Sequence, residues 1–427
     1  MHLKRTGTIG SRVDDPERGL AKIVRDHARE FRNERMVLYA GASLLTDSQK
    51  RISGIDLSAL PAMGRLETKE QPGADTVAEL ERWMSDLASE MFGVGWADLR
   101  LPSCTIANLA IYSFLAKAGD LLLAPAARDG GHLSQRRGGT PSILGIDVQD
   151  LPFDGAMQCL DEARAANMIR SMRPRLVMLG RSVILGPDSL ARVIEASRSV
   201  GALTIYDASH VSGLIASGVF DNPMSHGIDV MTSSTYKTLG GPAGGMVLFR
   251  DPDLGRAFSQ HVDSAFLANQ NASRFPAIIS AIWSCRPETH YGTKVLKTTD
   301  VMKVSFASRG IAVLLPGSPA RSHQVVAPIG SLEHARSVMK SLEAAGILVG
   351  TCPIPGTEAK FGLRFGSHIM ASLGVGQGEV EVVISLVADI LHQTEWGART
   401  LDSSDLRCRN SRSTIRRLLK STPGIVR

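Results

Sequence analysis

The 427-residue chain is short of the features that mark most specialised classes of protein. No apolar run reaches the eighteen or so residues that a membrane helix needs. The start, MHLKRTGTIGSRVDD, lacks the apolar segment of a secretory leader. A cytoplasmic protein with no membrane partner is therefore expected. Cysteine is scarce and scattered: Cys104, Cys159, Cys285, Cys352 and Cys408 are odd in number and form no CxxC pair. That argues against both a disulfide framework and a zinc site, so no metal is expected. Internal repeats and low-complexity linkers are missing too. Nor does the body carry an excess of one charge: of the formal net charge of +6, residues 401–427 account for +5, with seven cations against Asp402 and Asp405. Such a tail reads as a solvated or packed terminal helix, and no nucleic-acid partner is expected.

What is present is alternation. Leu121–Leu123, Arg175–Leu179, Leu203–Tyr206, Asp229–Thr232 and Met246–Phe249 read as buried strands. Between and around them Thr76–Met91, Ile106–Ala116 and Ser189–Val200 place apolar residues at helical spacing. Strand and helix in succession imply an α/β sheet covered on both faces. Ligands in such sheets sit beyond the carboxyl ends of the strands, which makes the residues just after each run the ones to inspect. After about residue 290 the pattern changes to an α+β one, with strands expected at Ala312–Leu315, His323–Ala327 and Gly346–Thr351 and helices at Ser331–Ala345 and Glu379–His392. The expected division is an N-terminal helical segment over 1–45, with Pro16–Arg35 helical, a large ligand-binding domain over 46–285, a small C-terminal domain over 286–400 and a basic tail over 401–427.

Three segments carry chemistry. In Met231-Thr-Ser-Ser-Thr-Tyr-Lys-Thr-Leu-Gly-Gly-Pro-Ala-Gly-Gly245, Lys237 stands just past a strand, between small hydroxyl residues and a glycine-rich turn, an arrangement that suits an amine meeting a bound aldehyde. Thirty residues earlier, Asp207 ends a strand in Tyr206-Asp-Ala-Ser-His210. Pyridoxal phosphate needs an acid to pair with its ring nitrogen, because that pairing keeps the ring an electron sink; capping of the next helix is the other reading of this carboxylate. Ser103-Cys-Thr-Ile-Ala-Asn108 opens an apolar helix with hydroxyls and free amides, which suits a phosphate and equally suits an ordinary cap. In Asp129-Gly-Gly-His132, an imidazole beside two glycines is placed either to stack on a flat cofactor or to serve the structure.

Together these segments resemble serine hydroxymethyltransferase, of the fold-type-I pyridoxal-phosphate superfamily, from about residue 36 to about residue 375. The strongest stretches are Asp207-Ala-Ser-His-Val-Ser-Gly-Leu-Ile-Ala-Ser-Gly-Val, against the family's D-M-A-H-x-A-G-L-x-A-A-G-V, and Thr232–Gly245, against T-T-T-T-H-K-T-L-x-G-P-R-G-G. The resemblance implies a mixed, mostly parallel sheet covered by helices, a smaller α+β C-terminal domain, pyridoxal 5'-phosphate, an amino-acid substrate and a homodimer. It implies that Lys237 takes the cofactor aldehyde, Asp207 pairs with the ring nitrogen and His132 stacks on the ring. Ser103 and Thr105 would hold the phosphate, Cys104 and Thr235 would lie in the cofactor site, and Ser182 and His210 would stand near the phenolic oxygen. Arg364, in Phe-Gly-Leu-Arg-Phe-Gly-Ser, matches the arginine that clamps the substrate carboxylate.

The departures lie where the family handles folate. Its loop E-G-Y-P-G-K-R-Y-Y-G-G falls on Met63–Gly73, so the proton-handling glutamate becomes Met63, a tyrosine becomes Gln71, and another just upstream becomes Pro61. A thioether neither donates nor accepts a proton usefully. The family's histidine before the lysine is Tyr236, its arginine in the glycine turn is Ala243, its A-S-E-N is Ala40-Gly-Ala-Ser43, and the glycine pair that reaches a neighbouring subunit's phosphate is Ala272-Ser273. The leading expectation is a folate-independent enzyme acting on a bulky α-amino acid, by β-elimination of a cysteine S-conjugate or by decarboxylation, in natural-product assembly. The alternative is a hydroxymethyltransferase, aldolase or transaldolase, with Glu67 or Glu70 standing in for the missing acid. A catalytically inactive binding protein of the same fold is the third reading.

Overall fold

A computed structural model describes residues 16–65, 68–395 and 400–425. Its centre is a seven-stranded sheet of β1 (Trp96–Asp98), β2 (Leu121–Pro125), β3 (Asp147–Leu151), β4 (Leu176–Leu179), β5 (Leu203–Asp207), β6 (Val230–Ser234) and β7 (Gly245–Phe249), in the order β1-β7-β6-β5-β4-β2-β3. Strand β7 alone runs against the rest. The central strands are apolar and buried along nearly their whole length, as a sheet covered on both faces requires. One face packs on the helix Asp75–Phe92 through Val77, Met84, Ala88 and Phe92, and the other on the helix Cys104–Leu115 through Ala107, Ala110 and Ile111. The first helix stops at Gly93, whose φ of 63° a glycine adopts without strain.

A second apolar cluster surrounds the three-stranded antiparallel sheet of β8 (Gln324–Gly330), β9 (Gly350–Pro353) and β10 (Phe361–Gly366), in the order β8-β10-β9. Met36, Val37 and Leu38 belong to this cluster, and Met36–Val37 pairs in parallel with Ile347–Leu348. The helix Leu406–Ser421 packs there too, through Cys408, Ile415 and Leu418, so the basic tail is a docked helix with its cations outward. Arg427 lies outside the described residues. The helix Pro16–Asn33 buries none of its residues and leaves Leu20, Ile23 and Val24 exposed.

The strand expected at Ala312–Leu315 is not formed. Leu314 N donates to Val326 O at 2.9 Å, but Leu315 turns to a φ of 50° and the chain leaves the sheet. Beyond β10 of the small sheet and some two-residue strands, β1 and β3 of the central sheet went unread, the first because it is three residues long. The second, Asp147-Val-Gln-Asp-Leu151, is a half-exposed edge with charged residues in it.

Candidate active site

The carboxyl ends of β2, β4, β5 and β6 point the same way, and the segments that follow them enclose a narrow cavity. Ser103, Cys104, Thr105, His132, Ser182, Asp207, His210 and Lys237 all line it, although they come from positions 103 to 237 of the chain. Close approach is built into the backbone. A Cβ at Gly180, just after β4, would lie 2.2 Å from Asp207 O, and one at Gly245 would lie 2.3 Å from Ser103 O, so the loop and the glycine turn can come this near only as glycine.

Asp207 ends β5, and four donors fix its carboxylate. Asn108 Nδ2, Gln135 Nε2 and the Cys104 thiol reach Oδ2 at 3.2, 3.1 and 3.7 Å, and Ser209 N reaches Oδ1 at 3.0 Å. Asn108 Nδ2 also donates to Ser134 Oγ at 2.8 Å, and that hydroxyl lies 2.8 Å from His132 Nδ1, which accepts from Ser134 N as well. The imidazole of His132 is thereby held with its proton on Nε2, and burial keeps its pKa below the ordinary value. Burial pushes the Cys104 thiol up, and the neighbouring Asp207 adds to the shift, so it acts as a neutral donor.

Lys237 lies three residues beyond the end of β6 as Ser209 and Ser234 close against each other, with Ser234 N donating to Ser209 Oγ at 3.0 Å. Burial holds its amine below the usual lysine range, with Asp207 and Cys104 opposing the shift. The helix Cys104–Leu115 starts beside it, capped by Ser103, whose Oγ accepts from Ile106 N at 3.3 Å. The first amides of a helix have no intrahelical acceptor and face what lies before the start.

Arg364 enters from the small sheet, on β10. Its Nη1 donates to the Ser182 carbonyl and, at 3.5 Å, to His210 Nε2. Gln324 Nε2 donates to the same Ser182 carbonyl at 3.0 Å, so the loop after β4 is tied to the small sheet at two points. Thr235 is the one expected cofactor residue that the structure turns away. It is fully buried, and its hydroxyl donates to Pro242 O at 2.5 Å, bracing the glycine turn. Gln135 and Arg181, which the sequence did not single out, line the cavity. Gln135 was visible only as the third residue of a His-x-x-Gln cap, in which its Oε1 accepts from His132 N. Arg181 is bound to Asp188 at 2.7 Å in a buried pair.

Three buried donors at the site are left over. His210 Nδ1, Arg364 Nε and Arg181 Nε have no partner among the described residues. With an amine of lowered pKa, a carboxylate fixed by four donors and a helix start, the set fits a planar aldehyde that bears a ring nitrogen, a phenolic oxygen and a phosphate. Fold and site thus define a pyridoxal-phosphate-dependent enzyme of the α/β class. The chain belongs to the serine hydroxymethyltransferase family, whose family model matches residues 17–387. Serine hydroxymethyltransferase of Aeropyrum pernix is 32% identical over 341 residues, 78% of each chain. Alpha-methylserine aldolase of a Ralstonia species is 26% identical over 90% of this chain and 88% of that protein. The crystal structure of L-threonine transaldolase from Pseudomonas fluorescens shares the fold, with a TM-score of 0.83 at 24% identity over 96% of this chain and 93% of that one. The cofactor is pyridoxal phosphate.

The loop that departs from the family closes on itself. Gln71 Oε1 accepts from Met63 N at 2.5 Å, and Lys69 pairs with Glu81 at 2.6 Å, both side chains buried. Glu70 is not among the lining residues, and Glu67 lies outside the described residues. Among the described residues no group of histidine, cysteine or carboxylates is arranged to hold a metal, and no helix is long and apolar enough to cross a membrane.

Proposed function

We propose that the protein makes or breaks the Cα–Cβ bond of a β-hydroxy-α-amino acid without tetrahydrofolate, in the manner of an aldolase or transaldolase. The observation that carries this reading is the composition of the cavity. The groups needed to hold and polarise an amino acid line it or, like Arg364, bond to residues that do, yet its single carboxylate, Asp207, is already engaged by four donors, and the family's proton-handling glutamate is Met63.

Within this proposal each residue has a task. Arg364 orients the substrate carboxylate with a guanidinium that still has Nε free. Burial of Lys237 raises the neutral fraction of its amine, which serves first as nucleophile and then as base at Cα. Asp207 is held where the ring nitrogen must lie, His132 stacks on the ring, and the His210 Nδ1 proton is directed at the phenolic oxygen. Ser103, Cys104 and Thr105 present the helix start to the phosphate. When bound, the cofactor supplies the electron sink for the bond broken at Cα. A cytoplasmic homodimer is part of the proposal, on the strength of the resemblance.

Two points support an aldol-type reaction over elimination from a bulky conjugate. The cavity is narrow and must also hold the cofactor, which suits a small substrate. The Ralstonia relative bears the name of an aldolase. The test is to give the loaded enzyme L-threonine, phenylserine or α-methylserine without folate and to measure aldehyde. Aldehyde release unaffected by added tetrahydrofolate is expected. Pyruvate from a cysteine thioether with no aldehyde from any hydroxy amino acid would overturn the proposal in favour of β-elimination.

A further inference from the structure

An aldol reaction needs a proton carrier at the substrate's β-oxygen, and the lining of the cavity leaves few groups free to be one. Asp207 is committed to its four donors and Cys104 donates to it. His132 is held by Ser134 through Nδ1, and His210 Nε2 faces the Arg364 guanidinium. The hydroxyl of Tyr236 is different. It stands on the cavity wall, its ring centroid is 6.0 Å from Lys237 Nζ, and it has no hydrogen-bond partner among the described residues.

A second phenol supports it. Tyr39 is close enough for its charge to act on both Tyr236 and Arg364. Its ring fills a slot made by two glycines: a Cβ at Gly41 would stand 3.2 Å from Tyr39 Cζ, and one at Gly350 would stand 2.6 Å from its Cε2. The chain thus gives up side chains at 41 and 350 to keep a phenol beside the arginine and Tyr236.

We propose that the Tyr236 hydroxyl is the acid–base group at the β-oxygen of the substrate, in place of the carboxylate that the site lacks, with Tyr39 as a positioning residue beside it. The inference rests on the aldol reading above. In the bond-forming direction the electron pair on Cα attacks the aldehyde carbon, the carbonyl π pair moves to oxygen, and that oxygen takes the Tyr236 proton. The phenolate left behind lies near the Lys237 amine and regains a proton from water. Cleavage is the reverse: the phenolate takes the hydroxyl proton, the β-carbon becomes a carbonyl carbon and the Cα–Cβ pair returns to Cα. Burial, with Cys104, Tyr39 and Asp207 adding to it, pushes the phenol up from its ordinary pKa. The protonated form therefore dominates at neutral pH, and cleavage should quicken as pH rises.

Y236F removes only the oxygen. In the loaded enzyme we expect kcat for cleavage of a β-hydroxy amino acid to fall about 10²- to 10⁴-fold, the range of general acid–base catalysis, with loss of the alkaline rise and partial rescue in Y236H. Exchange of the glycine α-proton, which needs only Lys237, stays near wild type and reports that the site is intact. A readout apart from turnover is the ¹³Cζ-tyrosine resonance of Tyr236, which should move on adding L-serine and stay still with L-alanine. Wild-type kcat with an unchanged alkaline limb in Y236F, or equal shifts with serine and alanine, overturns this inference alone. If the wild type cleaves no hydroxy amino acid, the aldol reading falls and this inference falls with it.

Discussion

Asp207 takes hydrogen bonds from four partners on three separate segments, whereas Met63 is tied through its backbone alone, to Glu70 and Gln71 seven and eight residues on. The first residue is over-determined. Moving it would strand Asn108, Gln135 and the Ser134–His132 pair behind it, and each stranded buried donor costs about 1–3 kcal/mol. The second can change without disturbing any other side chain. Tyr236 aside, the cofactor wall of the cavity matches the family's residues, while the loop over Pro61–Gly73 departs from them at a glutamate and tyrosines. On the proposed folate-independent reading, a site gives up one co-substrate and keeps its cofactor because the two are held by parts of the molecule with different numbers of internal ties.

The sharpest way to break that comparison is at Asp207. In D207N one oxygen becomes an amide, which cannot accept from Asn108, Gln135 and Cys104 while pairing with a ring nitrogen. A fall of about 10²- to 10³-fold in kcat is expected, the scale of losing one preorganised charge. Cofactor absorbance should persist, because Lys237 and the helix start remain. A loss below tenfold would mean that the wall is not the rigid half of the site.

The contrast also bears on what could be read from the sequence. Strands β2, β5 and β6 were legible because they are apolar and buried on both faces, and the residues after them were found by that route. Lys237, Asp207, His132 and the Ser103–Thr105 start share one cavity, as their motifs suggested. What escaped depends on contacts between distant segments. The bond from Arg364 to the Ser182 carbonyl spans 182 residues, and no spacing rule reports it. Thr235 lies inside the lysine motif, yet packing turned its hydroxyl to Pro242. Tyr236 was visible only as a departure from the family, and only the structure places it on the cavity wall.

A middle-sized effect tests how deeply the wall is buried. His210 and His323 stack 5.7 Å apart, and His368 lies against His323. Burial first, then the charges of Lys237, Arg364 and the neighbouring histidines, holds both pKa values well below 6.5. The unfolded chain therefore takes up protons near pH 6.5 that the folded chain refuses. Stability is full above that pH and falls as pH drops through it, by roughly 1.4 kcal/mol per pH unit for each histidine. Urea midpoints at pH 7.5 and 5.5 measure the fall. H323N should remove about half of the fall, and an unchanged slope would show that His323 titrates freely in the folded state.

The smallest effect is expected where the loop is most easily changed. M63E restores the family's glutamate in a strand of chain whose backbone bond to Gln71 does not depend on the side chain, so the fold should tolerate it with a change within about 1 kcal/mol. It should still not create tetrahydrofolate-dependent conversion of serine to glycine, because Pro61 and Gln71 remain where the family has tyrosines. The carboxylate alone also gains no partner to orient it. Serine assays with and without tetrahydrofolate on M63E would then give the same glycine signal. A folate-dependent gain from this one change would show that the loop still positions the co-substrate, and that the two walls differ by a single residue rather than in how firmly each is held.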